Sequence, residues 1–295
     1  LKENRMLDIV ICPKEGWLTQ QLSKYDLPYH IVNMSHKPKR FISSSLNLFQ
    51  FLKSRNCLDI VHVHGRFPLF VSLLSMFLLK DLRFVVTVHQ FSSCSTPGFL
   101  NWMNNLETII LRHAIKKICC VSQALKNEVL QRLGYQYKDK IFVINNWIQP
   151  MNYNCAAKGL NNHNKTRKTD NTKVVAVGRL SHEKGFEVLI DAINIMVKHN
   201  INVTCDIYGE GPEGIKLVSI INERSLNNHV QLKGYCADIR AILYKYDFLV
   251  VPSLSESFGI VVLEAYDAGI PVVASNIPGL NEIIDDGKSG LLFEP

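Results

Sequence analysis

An α/β protein of two doubly wound domains is what this sequence predicts, and three observations predict it. Apolar, strand-like runs alternate with helical stretches along the chain, the alternation is interrupted once, and 295 residues exceed what one core ordinarily holds. The runs before the interruption are Leu7–Cys12, His30–Met34, Ile60–His64, Phe84–His89, Lys117–Val121 and Ile141–Ile144. Those after it are Lys173–Val177, Val203–Tyr208, Val230–Leu232, Phe248–Pro252 and Pro271–Ser275. They are apolar almost end to end, which marks strands buried on both faces of a parallel sheet. Helical period fills the intervals, for example over Asn101–His113, Gln123–Leu133, Phe186–Lys198 and Gly214–Arg224.

The interruption, Met151–Thr172, is rich in Asn, Lys and Thr, has almost no large apolar residue and has no period. It reads as a linker between domains at 1–150 and 173–295.

Composition excludes several classes. With 47% apolar and 20% charged residues the chain is globular, and no apolar run reaches the length that crosses a bilayer. The nearest, Phe67–Leu79, is interrupted by Pro68 and two serines and closed by Lys80-Asp81. The eight cysteines form no CxxC pair and no zinc-spaced cluster, so buried free thiols of a reducing cytosol explain them. No GxGxxG follows a strand, which removes support for a nicotinamide-dependent dehydrogenase. Charge is uneven. Residues 1–150 hold 19 Lys and Arg against 9 Asp and Glu, and residues 151–295 hold 14 against 17. A Lys-rich solvated face and a face that meets an anionic surface both account for this. The dispersed basic residues carry no nucleic-acid recognition motif.

In an open α/β sheet, ligands bind at the carboxyl ends of the strands, so the loops there carry the functional reading. After the strand ending at Pro252 comes a polar loop with Glu256. A helix begins near Phe258-Gly259-Ile260, with Glu264 two turns in and Ser255 or Ser257 placed to cap it. The amides of Gly259 and Ile260 suit a phosphate at the positive end of the helix dipole, and the two carboxylates suit sugar and ribose hydroxyls on either side of it. Alone, this stretch reads more readily as an ordinary strand-loop-helix with a surface acid at each end. Neighbouring strand ends add Arg179 and Lys184, two cations suited to a diphosphate. They also add the tight loop Gly209-Glu210-Gly211-Pro212, then Gly234-Tyr235 for a base, and Pro278-Gly279-Leu280-Asn281-Glu282.

Taken together, several stretches resemble glycosyltransferase family 4, retaining enzymes of the GT-B fold. They are Gly178-Arg179-Leu180 with Glu183-Lys184-Gly185, Tyr208 through Pro212, Pro252 through Ala265, Gly269 through Ser275, and Asp286 through Leu292. The resemblance is close over 173–295 and looser before it. It implies two Rossmann-like domains facing across a cleft and a nucleoside diphosphate sugar as donor. In that scheme Arg179, Lys184, Gly259 and Ile260 bind the diphosphate. Glu256, Phe258 and His89 meet the sugar, with Glu256 and His89 at the reacting centre. Glu264 takes the ribose, and Gly209 and Tyr235 lie in the base region. His89 matches a cleft-facing histidine after a Val-Thr-Val strand; His64, at the end of the preceding strand, is as readily a packed or solvated residue. No metal and no cofactor are implied, since two side-chain cations and a helix dipole take the metal's usual part.

The family has two glycines where this chain has Pro278-Gly279, and Asn-Gly where it has Asn146-Trp147. The family's opening strand with its Gly-rich loop and its closing helices lie outside these 295 residues, so a chain truncated at both ends is expected. The acceptor implied is a carbohydrate or a lipid-linked one. Enzyme and basic first half together suggest a cytoplasmic protein peripheral to an anionic membrane, in polysaccharide or lipopolysaccharide synthesis. A nucleotide-sugar epimerase of the same fold and a non-catalytic scaffold are the competing readings.

Overall fold

The computed structural model describes residues 9–34, 38–55, 58–90, 99–150 and 171–295. Its contacts divide the chain into two units. One is Leu1–Val121 with Lys126–Ile144, and the other is Ser122–Leu125 with Asn145–Pro295. Most of the expected linker, residues 151–170, lies outside the described residues, as do Cys57, Cys94 and Cys155.

The first unit carries β1 (Val10–Cys12), α1 (Trp17–Lys24), β2 (Tyr29–Ile31), α2 (Pro38–Lys53), β3 (Ile60–His64), α3 (Arg66–Val71) and α4 (Leu73–Leu78). It continues with β4 (Arg83–Val88), α5 (Phe99–His113), β5 (Lys117–Cys120), α6 (Gln123–Leu133), whose first residues cluster with the second unit, and β6 (Ile141–Val143). β3-β4-β5-β6 form a parallel sheet in chain order, and β1 pairs with β2, also in parallel. The expected run Phe67–Leu79 is two short helices that meet at Ser72, with Leu69, Phe70 and Val71 buried.

The second unit is a single six-stranded parallel sheet. Its strands are β7 (Thr172–Val177), β8 (Val203–Tyr208), β9 (Val230–Gly234), β10 (Phe248–Val251), β11 (Val272–Ser275) and β12 (Gly290–Phe293). Its helices are α7 (Phe186–Lys198), α8 (Gly214–Glu223), α9 (Arg240–Leu243) and α10 (Ile260–Asp267). Alternation along β7 shows how the sheet is covered. Val174 and Ala176 pack into one core with Leu189, Ile190 and Ile193 of α7 and Leu217 and Ile221 of α8. Val175 packs into another with Val262 and Ala265 of α10 and Leu243, Leu280 and Ile284. A strand apolar at every position is one with a core on each face.

Strand order is β12-β11-β10-β7-β8-β9. The chain runs outward from β7 through β8 to β9, then returns to lay β10 on β7's other side. The order therefore reverses between β7 and β10, and that is the topological switch point at which open α/β sheets hold ligands. Among the described cysteines, Cys12, Cys119, Cys120 and Cys205 are buried and free.

Candidate functional site

The loops after β7 and β10 are built into one another. Gly185 sits at φ 63°, and a Cβ there would lie 1.9 Å from the Pro252 carbonyl oxygen, so only glycine lets the two backbones close. The Glu183 carbonyl accepts from the amides of Leu254 at 2.8 Å and Ser255 at 3.3 Å. The Glu183 carboxylate accepts from the Ser181 hydroxyl at 2.7 Å; chiefly through that bond it is held below the usual carboxylate range. These joins bring the Lys184 ammonium to the Glu256 carboxylate, Nζ to Oε2 at 2.5 Å, with both side chains three-quarters buried or more. From the far side Gly279, at φ 94°, presses against the same loop: its Cβ would meet the Glu256 carbonyl oxygen at 2.3 Å. Of the two family glycines, the one kept in Pro278-Gly279 is the one the geometry requires.

Gly259 caps α10 in the left-handed region, φ 89° and ψ 60°. No side chain caps that helix, which corrects the expectation for Ser255 and Ser257. The first-turn amides of α10, at Ile260 and Val261, have no intrahelical partner and lie next to the Glu256 loop. Ile260 is exposed, whereas Phe258 is 3% exposed, its side chain buried in the core so that only its backbone is left for a ligand. Arg179 is exposed.

Glu264 is half-buried on α10. Burial raises its carboxyl above the usual range; Arg240 opposes that shift and Asp238 adds to it. Arg240 also donates to the Gln149 carbonyl at 2.7 Å and faces the Asp267 carboxylate at 3.9 Å. It stands within a short helix, not at a strand end, so a reading of strand ends passes over it.

The ends of β7, β8 and β9 close up in the same manner. Gly209 has φ 140° and its Cβ would lie 1.8 Å from the Gly178 carbonyl oxygen; its amide donates to the Gly234 carbonyl at 2.8 Å. Tyr235 follows, 72% exposed. At the end of β8, Tyr246 donates to Asp206 at 2.7 Å and meets the Tyr208 hydroxyl at 3.0 Å, with burial as the main cause of its raised pKa.

In the first unit, His62 and His64 alternate onto one face of β3, and His89 follows β4. His64 Nδ1 lies 3.2 Å from His89 Nε2, His62 Nε2 lies 2.8 Å from the Thr87 hydroxyl, and the His62 and His64 rings are 4.4 Å apart. Burial is the first cause that lowers all three below the ordinary histidine value, with charge repulsion from the neighbouring rings adding to it at His62 and His64. His64 is thus joined to His89, and His62, absent from the sequence reading, is a third member that its two-residue spacing from His64 signals. Arg66, just beyond His64, is held by the buried Glu107 at 3.4 Å and by Asn104. Among the described residues, no three His, Cys, Asp or Glu converge so as to hold a metal ion.

Comparison with known proteins now places the chain. Residues 9–151 match the model described as Glycosyltransferase Family 4, and residues 160–295 match Glycosyl transferases group 1. An uncharacterized glycosyltransferase of Methanocaldococcus jannaschii is 29% identical over 283 residues, which is 90% of this chain and 70% of that protein. A glycogen synthase of Mycobacterium tuberculosis is 28% identical over 80% of this chain, which spans only 56% of it. Among solved structures, HepE of Anabaena in complex with UDP and glucose superposes with a TM-score of 0.79 at 22% identity, over 97% of this chain and 78% of its own. Its fold, GT-B with two Rossmann-like units, is shared. With one model on each half and parallel α/β units beneath both, the chain belongs to the family 4, or group 1, glycosyltransferases.

Proposed function

We propose that this chain moves a sugar from a nucleoside diphosphate sugar to an acceptor hydroxyl, with retention at the anomeric carbon. The observation that carries the reading is the convergence of Lys184, Glu256 and the uncapped start of α10 at the switch point between β7 and β10. The donor diphosphate lies along Arg179, Lys184 and the amides of Gly259 and Ile260, the sugar against Glu256, and the ribose at Glu264. The base lies beside Gly209 and Tyr235. HepE's complex with UDP and glucose supports a uridine nucleotide as the first donor to try.

As the anomeric C–O bond to phosphate breaks, negative charge grows on the diphosphate. Fixed cations and helix amides that are already aimed at it lower that barrier without reorganising. The acceptor hydroxyl enters on the face the diphosphate leaves and forms the new C–O bond, and its proton passes to a leaving phosphate oxygen. Two side-chain cations and the dipole supply what a metal would, so transfer proceeds without one. The acceptor is a carbohydrate, free or lipid-linked, in surface polysaccharide, lipopolysaccharide or glycolipid synthesis. The basic first half presents it at an anionic membrane face on the cytoplasmic side.

Arg179→Ala and Lys184→Ala test the reading. Each is expected to lower transfer by about a hundredfold or more, the scale of removing one preorganised donor to a developing anion. Transfer within a few-fold of wild type would sink the diphosphate assignment. Incubation with donor alone separates the competing enzyme class, because an epimerase would release altered sugar and nucleotide with no acceptor present.

A further inference from the structure

Lys184 and Glu256 raise a question that their separate roles leave open, because each is the other's hydrogen-bond partner. The ammonium lies 2.5 Å from the carboxylate, with the side chains 24% and 15% exposed, so each meets mainly the other and little solvent. Holding the two loops together does not require this pair. The Glu183 carbonyl already takes both Leu254 and Ser255 amides, Gly185 is pressed on Pro252, and Gly279 braces Glu256 from behind.

We infer that Glu256 competes with the diphosphate for Lys184, and that this competition lets the site hold an intact sugar nucleotide while rejecting the nucleoside diphosphate left after transfer. The inference rests on the donor-site reading above. A diphosphate that draws on Lys184 withdraws a charged donor from a carboxylate that is mostly buried, and a buried charge left without its partner is costly. When the sugar is attached, its hydroxyls donate to Glu256 in place of Lys184, and both groups are satisfied. Once the sugar has gone, Lys184 is again the charged donor that faces the Glu256 carboxylate among the described residues, and Glu256 reclaims the ammonium from the product. Arg179, which is exposed and outside this pair, serves as the cation that either nucleotide meets first.

The test is a double-mutant cycle read by isothermal titration of UDP, with GDP and ADP as alternates, into the wild type, Glu256→Gln, Lys184→Gln and the double variant. Circular dichroism checks that each is folded. Glu256→Gln keeps the side chain's shape and removes its charge. It is expected to tighten the nucleoside diphosphate about five- to tenfold, the worth of a charged pair partly screened by solvent. In the Lys184→Gln background the same change is expected to shift affinity less than twofold. The preference for sugar nucleotide over nucleoside diphosphate should fall in Glu256→Gln. Equal tightening with and without Lys184, or none at all, would overturn the competition while leaving the donor site standing. If neither a nucleoside diphosphate nor a sugar nucleotide binds the wild type or Glu256→Gln, the donor-site reading fails and the inference fails with it.

Discussion

Two ring nitrogens 3.2 Å apart, on His64 and His89, cannot both carry a proton without direct repulsion across the gap. Either ring can be the donor, but a second proton on the pair is opposed by its partner, by His62 tilted beside His64 at 4.4 Å, and by burial. The sign of the consequence is fixed. With native values below the ordinary 6.5, the unfolded chain binds more protons in the window between the lowered native values and 6.5. The stability these rings contribute is therefore complete above 6.5 and is lost as pH falls through that window. Urea unfolding at pH 7.5 and 5.5 checks this: the wild type should lose more stability on acidification than His64→Gln or His89→Gln does. A loss of equal size in all three would place the effect elsewhere; the raised carboxyl of Glu107, buried between Arg66 and Arg132, would not supply it, because a raised native value adds stability on acidification.

Strand ends, more than strands, set what this molecule can do, and their spacing is set by glycine. At the junction of β7, β8 and β9, Gly209→Ala would put a methyl group 1.8 Å from the Gly178 carbonyl oxygen, in a backbone region side chains avoid. Strain and displacement together should cost about 2–4 kcal/mol in chemical denaturation. By contrast, Gly214→Ala opens α8 with only the tip of Leu180 at 3.5 Å. There the helix preference of alanine should leave stability unchanged or raise it by about 0.5–1 kcal/mol. A Gly209→Ala protein as stable as Gly214→Ala would show that the close approach is not needed. The strands themselves were legible because a strand cored on both faces is apolar at every position; Val174, Val175 and Ala176 show the pattern. β12 was not picked out as a strand, since Gly290–Phe293 is short and only half-buried. The start of α10 misled in another way. Ser255 and Ser257 are good caps by type, yet a glycine in the left-handed region occupies the position, and no chemistry of side chains announces it. Nor could the Lys184–Glu256 pair be read, because 72 residues separate its members and only the return of β10 to the side of β7 makes them neighbours.

The whole chain carries its charge unevenly, 19 basic against 9 acidic residues before position 151 and 14 against 17 after it. In the first unit Trp17, Phe77 and Trp102 are each more than half exposed. No helix among the described residues is long and apolar enough to cross a membrane; the proposed contact with an anionic membrane rests on the charge. Sedimentation with vesicles of phosphatidylglycerol and phosphatidylcholine tests this. Binding is expected at about 0.1 M salt and should be lost near 1 M, as the screening length shortens from about 10 Å to 3 Å. Binding that ignores salt, or equal binding to neutral vesicles, would remove the electrostatic part of the proposal. A different consequence follows from the division of contacts. Arg179, Lys184, Glu256, Gly259 and Glu264 all belong to one unit, built on a single six-stranded parallel sheet. Their alignment is set within one continuous stretch of sequence, residues 179–264. Replacing the residues before that stretch would leave this sheet and the joins between its loops in place, so the part that the proposal assigns to the donor can stay fixed while the rest of the chain varies.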